Sequence, residues 1–221
     1  MDMHTNALSC VIFDVDGTLT RTNDLIFASF NHLAEKHLGR TFSSKEIIAL
    51  FGPPEEGALA KVFGPANIDR LMDELLRFYS AHHTAMASLH EGMEPLLRFL
   101  KDRGMRLAVF TGKGSRTTRI TLEALGIESY FDLVVSGNDV LQHKPHPEGI
   151  LRILAHFRVT AESALMVGDS ISDIRAAHGA GVRIATVLWD AYDRAGVTAA
   201  NPDCIFERVD EIHAWFKALL N

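Results

Sequence analysis

Only two of the 221 residues are cysteine, Cys10 and Cys204, too few for a disulfide framework. Cys10 lies in an apolar run, where a small buried hydrophobe is its expected role. No stretch approaches the ~18 uninterrupted apolar residues of a membrane span. The first residues, Met1 to Asn6, carry an acid and lack the basic start and apolar core of a secretory leader. Basic residues are outnumbered, 22 against 28 acidic, for a net charge of −6. That balance argues against broad nucleic-acid or anionic-membrane binding, which needs a concentrated basic face. It leaves room for a small anionic substrate, which needs only a local pocket of positive potential. Low-complexity blocks and short repeats are also missing, which excludes a solenoid. The expectation is a cytoplasmic, reduced protein with no obligatory protein partner. With 47% hydrophobic and 23% charged residues, the chain can bury roughly 70% of its unfolded surface.

Short apolar runs rich in β-branched residues recur over 9–13, 107–110, 133–135, 164–167 and 182–187. They are apolar throughout rather than alternating, which predicts strands covered on both faces, as in a parallel sheet. Amphipathic stretches over 93–100, 115–125, 147–156 and 172–178 separate them, with Gly104, Gly126 and Gly179 as stops and Pro147 as a start. Strand and helix in alternation predict a doubly wound, Rossmann-like α/β domain. Roughly ninety residues between the first two strands break the rhythm, far more than an ordinary crossover needs. They show helical spacing over 25–37, 44–50 and 68–81, with a turn at Gly52-Pro53-Pro54. The expected division is a core of 1–20 and 86–221 with an all-helical cap of 21–85. The insert starts at the carboxyl end of the first strand, where ligands bind in open α/β sheets. A decorative helical elaboration is the alternative.

Four segments at strand ends carry the chemistry. In Asp14-Val15-Asp16-Gly17-Thr18, positions i and i+2 of an extended chain share a side, so both carboxylates face one pocket. At about 4 Å and an effective dielectric near 20 they repel by roughly 4 kcal/mol, which calls for a cation or a shared proton. Thr111-Gly112-Lys113 offers a hydroxyl and a turn whose N–H groups can cradle an anion. Lys144 precedes a helix start at Pro147, adding a full charge to a helix N-terminus. Gly168-Asp169-Ser170-Ile171-Ser172-Asp173 supplies two more carboxylates. Each segment alone has a plain structural reading, such as an Asp as helix cap; all four at consecutive strand ends do not.

These segments resemble the four motifs of the haloacid dehalogenase-like (HAD) hydrolase superfamily, and the insert position resembles its helical-cap subclass. Asp14 to Leu19, Leu125-Gly126-Ile127 and Lys144-Pro145 resemble phosphoglycolate phosphatases; Thr22 to Ile26 and Phe51 to Pro54 are similar to a branch that hydrolyses pyrophosphate. The resemblance implies a phosphatase of small phosphorylated metabolites in which Asp14 is the nucleophile and Asp16 the general acid and base. It implies Mg²⁺ held by Asp14, the Asp16 carbonyl and Asp169, with Asp173 behind them orienting a metal-bound water or Lys144. Thr111, Gly112 and Lys144 would hold the phosphoryl oxygens. Pyrophosphatase and sugar-phosphate mutase activities are the alternatives within the class, and a catalytically inactive binding or regulatory domain is the one outside it.

Other features are weighed against simpler roles. Lys113 reads equally as a substrate contact or an exposed cation at a helix start. The eleven histidines show no zinc-ligand spacing and read as solvated or loop residues. Glu55 and Glu56 read as the first turn of the next helix. Their charge also counts against a mutase, whose turn is basic, and an inward-pointing one would fence out all but a compact substrate.

Overall fold

A computed structural model describes residues 8–220; the leader reading of residues 1–6 lies outside them. The chain opens with β1 (Cys10–Phe13) and a two-residue strand, β2 (Thr20–Arg21). Four helices follow: α1 (Asn23–Leu38), α2 (Ser44–Ile48), α3 (Glu55–Phe63) and α4 (Ile68–Met86). A second short strand, β3 (Ser88–Leu89), pairs antiparallel with β2. Strands and helices then alternate through α5 (Met93–Asp102), β4 (Arg106–Phe110), α6 (Ser115–Ala124), β5 (Leu133–Val135) and α7 (Glu148–Phe157). The series ends with β6 (Ala164–Gly168), α8 (Ile171–Gly179), β7 (Arg183–Val187), α9 (Arg194–Ala199), β8 (Cys204–Phe206) and α10 (Val209–Leu219).

Six strands form one parallel sheet in the order β5-β4-β1-β6-β7-β8. The doubly wound architecture expected from the apolar runs is therefore the fold. Alternate residues of β1 serve opposite faces: Val11 and Phe13 pack with Leu96, Leu97 and Phe216, while Cys10 and Ile12 pack with Ile150, Ile153 and Ile174. Burial on both faces is what made these strands continuously apolar. Burial also pushes the Cys10 thiol up to about 12, so it stays protonated and behaves as the small hydrophobe the sequence suggested.

Helices α1 to α4 close around an apolar cluster of their own that includes Leu25, Phe30, Leu33, Leu59, Leu75 and Tyr79. This group touches the sheet domain along α4, where the Tyr79 hydroxyl and Thr121 of α6 lie 2.8 Å apart. The polypeptide enters and leaves the four-helix segment through the paired β2 and β3, with Thr20 opposite Leu89 and Arg21 opposite Ser88.

Candidate active site

The carboxyl ends of β1, β4 and β6, together with the segment before α7, converge on one cavity of about 480 Å³. Its walls include Asp14, Asp16, Thr111, Gly112, Lys144 and Asp169. Asp173 stands behind them, fully buried in the first turn of α8. Every residue singled out in the four motifs is thus brought to one place.

Asp14 leaves β1 with its N–H bonded to the Val167 carbonyl at 2.9 Å. The residue is 8% exposed. Burial pushes its carboxyl up to about 6, against the pull of the Lys144 ammonium. That ammonium stands 2.9 Å from Asp14 Oδ1 and forms a buried ion pair with it. Asp169, just past β6, accepts 2.8 Å from the Thr18 hydroxyl, and burial with Asp14 beside it raises its carboxyl well above the usual range. Asp14, Asp169 and Asp173 each offer an oxygen within 4.8 Å of the others.

Asp173 differs from the other two in having both oxygens occupied. Oδ1 accepts from Lys144 at 2.6 Å, and Oδ2 from the Ser170 hydroxyl and N–H at 2.6 and 3.1 Å. Of the two tasks foreseen for it, orienting Lys144 is the one this geometry supports. Lys144 also donates to the Phe110 carbonyl at 3.2 Å. Burial opposes its charge, but Asp14 and Asp173 hold its affinity for the proton above the ordinary lysine value. Its charge therefore acts on the carboxylates. At the start of α7 the Glu148 N–H is taken instead by His146 Nδ1 at 3.2 Å.

Gly17 turns the chain with φ +81°, and a Cβ there would sit 2.6 Å from Asp169 Oδ2. Both the left-handed backbone and the space beside that oxygen require glycine. Gly112 and Gly137 allow a similarly close approach. A Cβ on Gly112 would lie 3.1 Å from the Gly52 carbonyl, and one on Gly137 only 2.4 Å from the Gly112 carbonyl.

Three expectations are corrected. Lys113 is not exposed: its side chain is 2% accessible. Its ammonium lies 3.3 Å from both Asp16 oxygens and 4.7 Å from the Tyr79 ring centre. A partner 97 residues away and an aromatic face compensate a charge that sequence alone leaves to solvent. His83 and His90 are not solvated either, at 1% and 3% exposure. Burial, with Arg21 adjacent, pushes His90 down to about 4. Finally, Glu55 and Glu56 do begin α3 but neither acts only on its own helix. Glu55 accepts from the Gly114 N–H at 2.8 Å and the Thr117 hydroxyl at 2.6 Å, so it caps α6 from the other side of the cavity. Glu56 pairs with Arg116 at 3.0 Å.

The Asp16 carboxylate is held apart from the buried trio, accepting from the Thr22 hydroxyl at 2.5 Å as well as from Lys113. The loop after β7 completes the surroundings and had no signal in the sequence. Asn23 donates to Asp190 at 3.1 Å, and the Trp189 indole to the Thr18 carbonyl at 3.1 Å. Tyr192 joins Phe27 and Phe51 in a ring cluster with centres 6.0 to 6.5 Å apart.

Comparison with known proteins agrees with this architecture. The sequence pattern of the haloacid dehalogenase-like hydrolases matches residues 11–187. A pyrophosphatase named PpaX from Anoxybacillus flavithermus is 31% identical over 205 residues, 93% of this chain and 95% of its own length. A PpaX pyrophosphatase from Bacillus pumilus is likewise 31% identical, over 96% of this chain and 98% of the relative. Among solved structures, CbbY from Rhodobacter sphaeroides in complex with phosphate superimposes with a TM-score of 0.81 at 24% identity, covering 93% of this chain and 96% of that one. A protein described as a predicted phosphoglycolate phosphatase from Haemophilus somnus gives 0.78 at 24% identity, covering 95% and 98%. At those identities the two structures speak for the fold alone.

Proposed function

The chain belongs to the haloacid dehalogenase-like hydrolases and is a phosphatase of that family, and from this premise we propose that it hydrolyses a small phosphate monoester through an aspartyl-phosphate. The observation that carries the reading is the buried Asp14 carboxylate, paired with Lys144 at 2.9 Å and bordering a cavity shared with Thr111, Gly112 and Lys144. In the first step an Asp14 oxygen bonds to phosphorus as the ester P–O bond breaks, and Asp16 gives its proton to the departing oxygen. In the second, water attacks the same phosphorus, Asp16 takes the proton, and the Asp14–P bond breaks to release phosphate. The Thr22 hydroxyl and the Lys113 ammonium hold the Asp16 carboxyl in place at the cavity wall. Thr111, the Gly112 N–H and Lys144 line the cavity where they can receive the phosphoryl oxygens.

A divalent cation fits the donors present. Two buried carboxylates with raised proton affinities and a glycine that keeps space beside Asp169 Oδ2 make a hard, oxygen-only set suited to Mg²⁺. Asp14 and Asp169 would hold it, together with the Asp16 carbonyl that the sequence resemblance implies. When bound, it neutralises the approach of an anionic nucleophile to an anionic phosphate. Asp173 serves as the positioning residue for Lys144.

We assign residues 21–85 the role of a cap. Support comes from the separate apolar cluster of α1 to α4 and from insert residues Asn23, Ile26, Phe30 and Glu55 lining the same cavity. Pyrophosphate hydrolysis is the second reading, supported by the names of the relatives at 31% identity. The acidic turn, with Glu55 and Glu56 committed to α6, gives a mutase no basic grip.

The test is turnover of p-nitrophenyl phosphate with Mg²⁺ by the wild type and by Asp14→Asn. The expected loss is roughly 10⁴-fold or more, as for removal of a covalent nucleophile. An inert wild type that also binds no Mg²⁺ would show instead a binding or regulatory domain.

A further inference from the structure

We infer that the departing alcohol of the substrate is apolar, an alkyl- or aryl-type group rather than a second phosphate or a carboxylate. The inference rests on the phosphatase reading above and names its substrate class. The cavity that contains Asp14 is far larger than a phosphoryl group requires, at about 480 Å³, within the range of about 300–1,000 Å³ that holds organic ligands. Away from the carboxylates its wall is built by Ile26 and Phe30 of α1, Ile48 of α2, Phe51, Ala58 of α3 and Tyr192. Phe51 and Tyr192, one from the insert and one from the loop after β7, keep 41% and 45% of their surfaces exposed while their ring centres stand 6.1 Å apart. They present aromatic faces that a ligand body would cover.

The charges point the same way. Among the described residues, Lys113 and Lys144 are the only cations in that wall, and both are committed: Lys113 to Asp16, Lys144 to Asp14 and Asp173. The remaining charged groups there, Glu55, Asp169 and Asp193, are acids. A leaving phosphate, or the carboxylate of phosphoglycolate, would enter an apolar chamber without a spare cation, and a buried charge lacking a partner is strongly disfavoured. An alkyl chain gains from every methylene it removes from water.

The experiment compares n-alkyl monophosphates from methyl to hexyl, whose leaving oxygens have similar basicity, with pyrophosphate and phosphoglycolate, all with Mg²⁺. Calorimetric binding of the matching non-hydrolysable alkylphosphonates runs in parallel. The expected result is that kcat/KM and phosphonate affinity both climb, by up to about fourfold per methylene, with the longer esters overtaking both charged substrates. Phe51→Arg should flatten the climb and improve pyrophosphate relative to hexyl phosphate. A flat or falling series, or pyrophosphate preferred by the wild type, overturns the inference. Phosphonate affinity that climbs while no ester or pyrophosphate turns over upholds the apolar chamber and overturns the phosphatase reading instead.

Discussion

Replacing Lys144 by Met tests how much one cation holds this site together. Its ammonium lies 2.9 Å from Asp14 and 2.6 Å from Asp173. At an effective dielectric of 20 each attraction is roughly 6 kcal/mol, most of it offset by the desolvation of all three groups. The net cost of breaking a buried pair by removing one partner is about 3–5 kcal/mol. Lys144→Met should lie in that range, because Asp173 is fully buried and would be left with only Ser170. Urea unfolding followed by circular dichroism at neutral pH measures it. Lys144→Met/Asp173→Asn should recover about 2 kcal/mol, since it leaves no orphaned charge behind α8. Added Mg²⁺ should stabilise Lys144→Met more than the wild type, because the variant presents an uncompensated acidic cluster to the cation. A single variant within 1 kcal/mol of wild type, on the scale where one mutation typically costs about that much, would refute the reasoning. So would strictly additive single losses in the double variant.

Two further outcomes follow from contacts outside the carboxylate cluster. Glu55→Gln should lower stability by about 2 kcal/mol through weakened bonds to Gly114 and Thr117, and should speed hydrogen exchange at the Gly114 amide; unchanged exchange there would show that Glu55 does not cap α6. His90 titrates near 4 in the fold and near 6.5 when unfolded, so the unfolded chain alone takes up the proton as pH falls between those values. Folding stability therefore declines toward pH 4 by up to about 3 kcal/mol from this group, and His90→Gln should lose that part of the slope; parallel pH profiles for the two proteins would contradict it.

The apolar strands were readable because a parallel sheet demands burial on both faces, so β1, β4, β6 and β7 announce themselves as unbroken hydrophobic runs. β8 did not, being three partly exposed edge residues, and β2 and β3 are too short to carry any period. The carboxylates and Lys144 were legible from spacing because each follows a strand end. Lys113 was not, because its burial depends on Asp16 and Tyr79, which the fold alone brings beside it. The same holds for Glu55: an acid in a first helical turn signals its own helix, while its actual targets sit 59 and 62 residues away. The apolar chamber was invisible for a related reason. Ile26, Phe30 and Ile48 fit a helical core pattern, and only the assembled structure shows them bordering the cavity.

The narrow β2–β3 ribbon has a consequence of its own. Because the departing and returning strands lie side by side, the backbone crosses between the sheet domain and its insert at one short stem, whatever length of chain lies beyond. Closing a longer excursion on that stem adds only a logarithmic entropy cost, so a transplanted bundle is limited by whether it replaces the Tyr79 and Glu55 contacts to α6. The stem fixes where the excursion begins and ends, while those contacts fix how the bundle leans on the sheet domain.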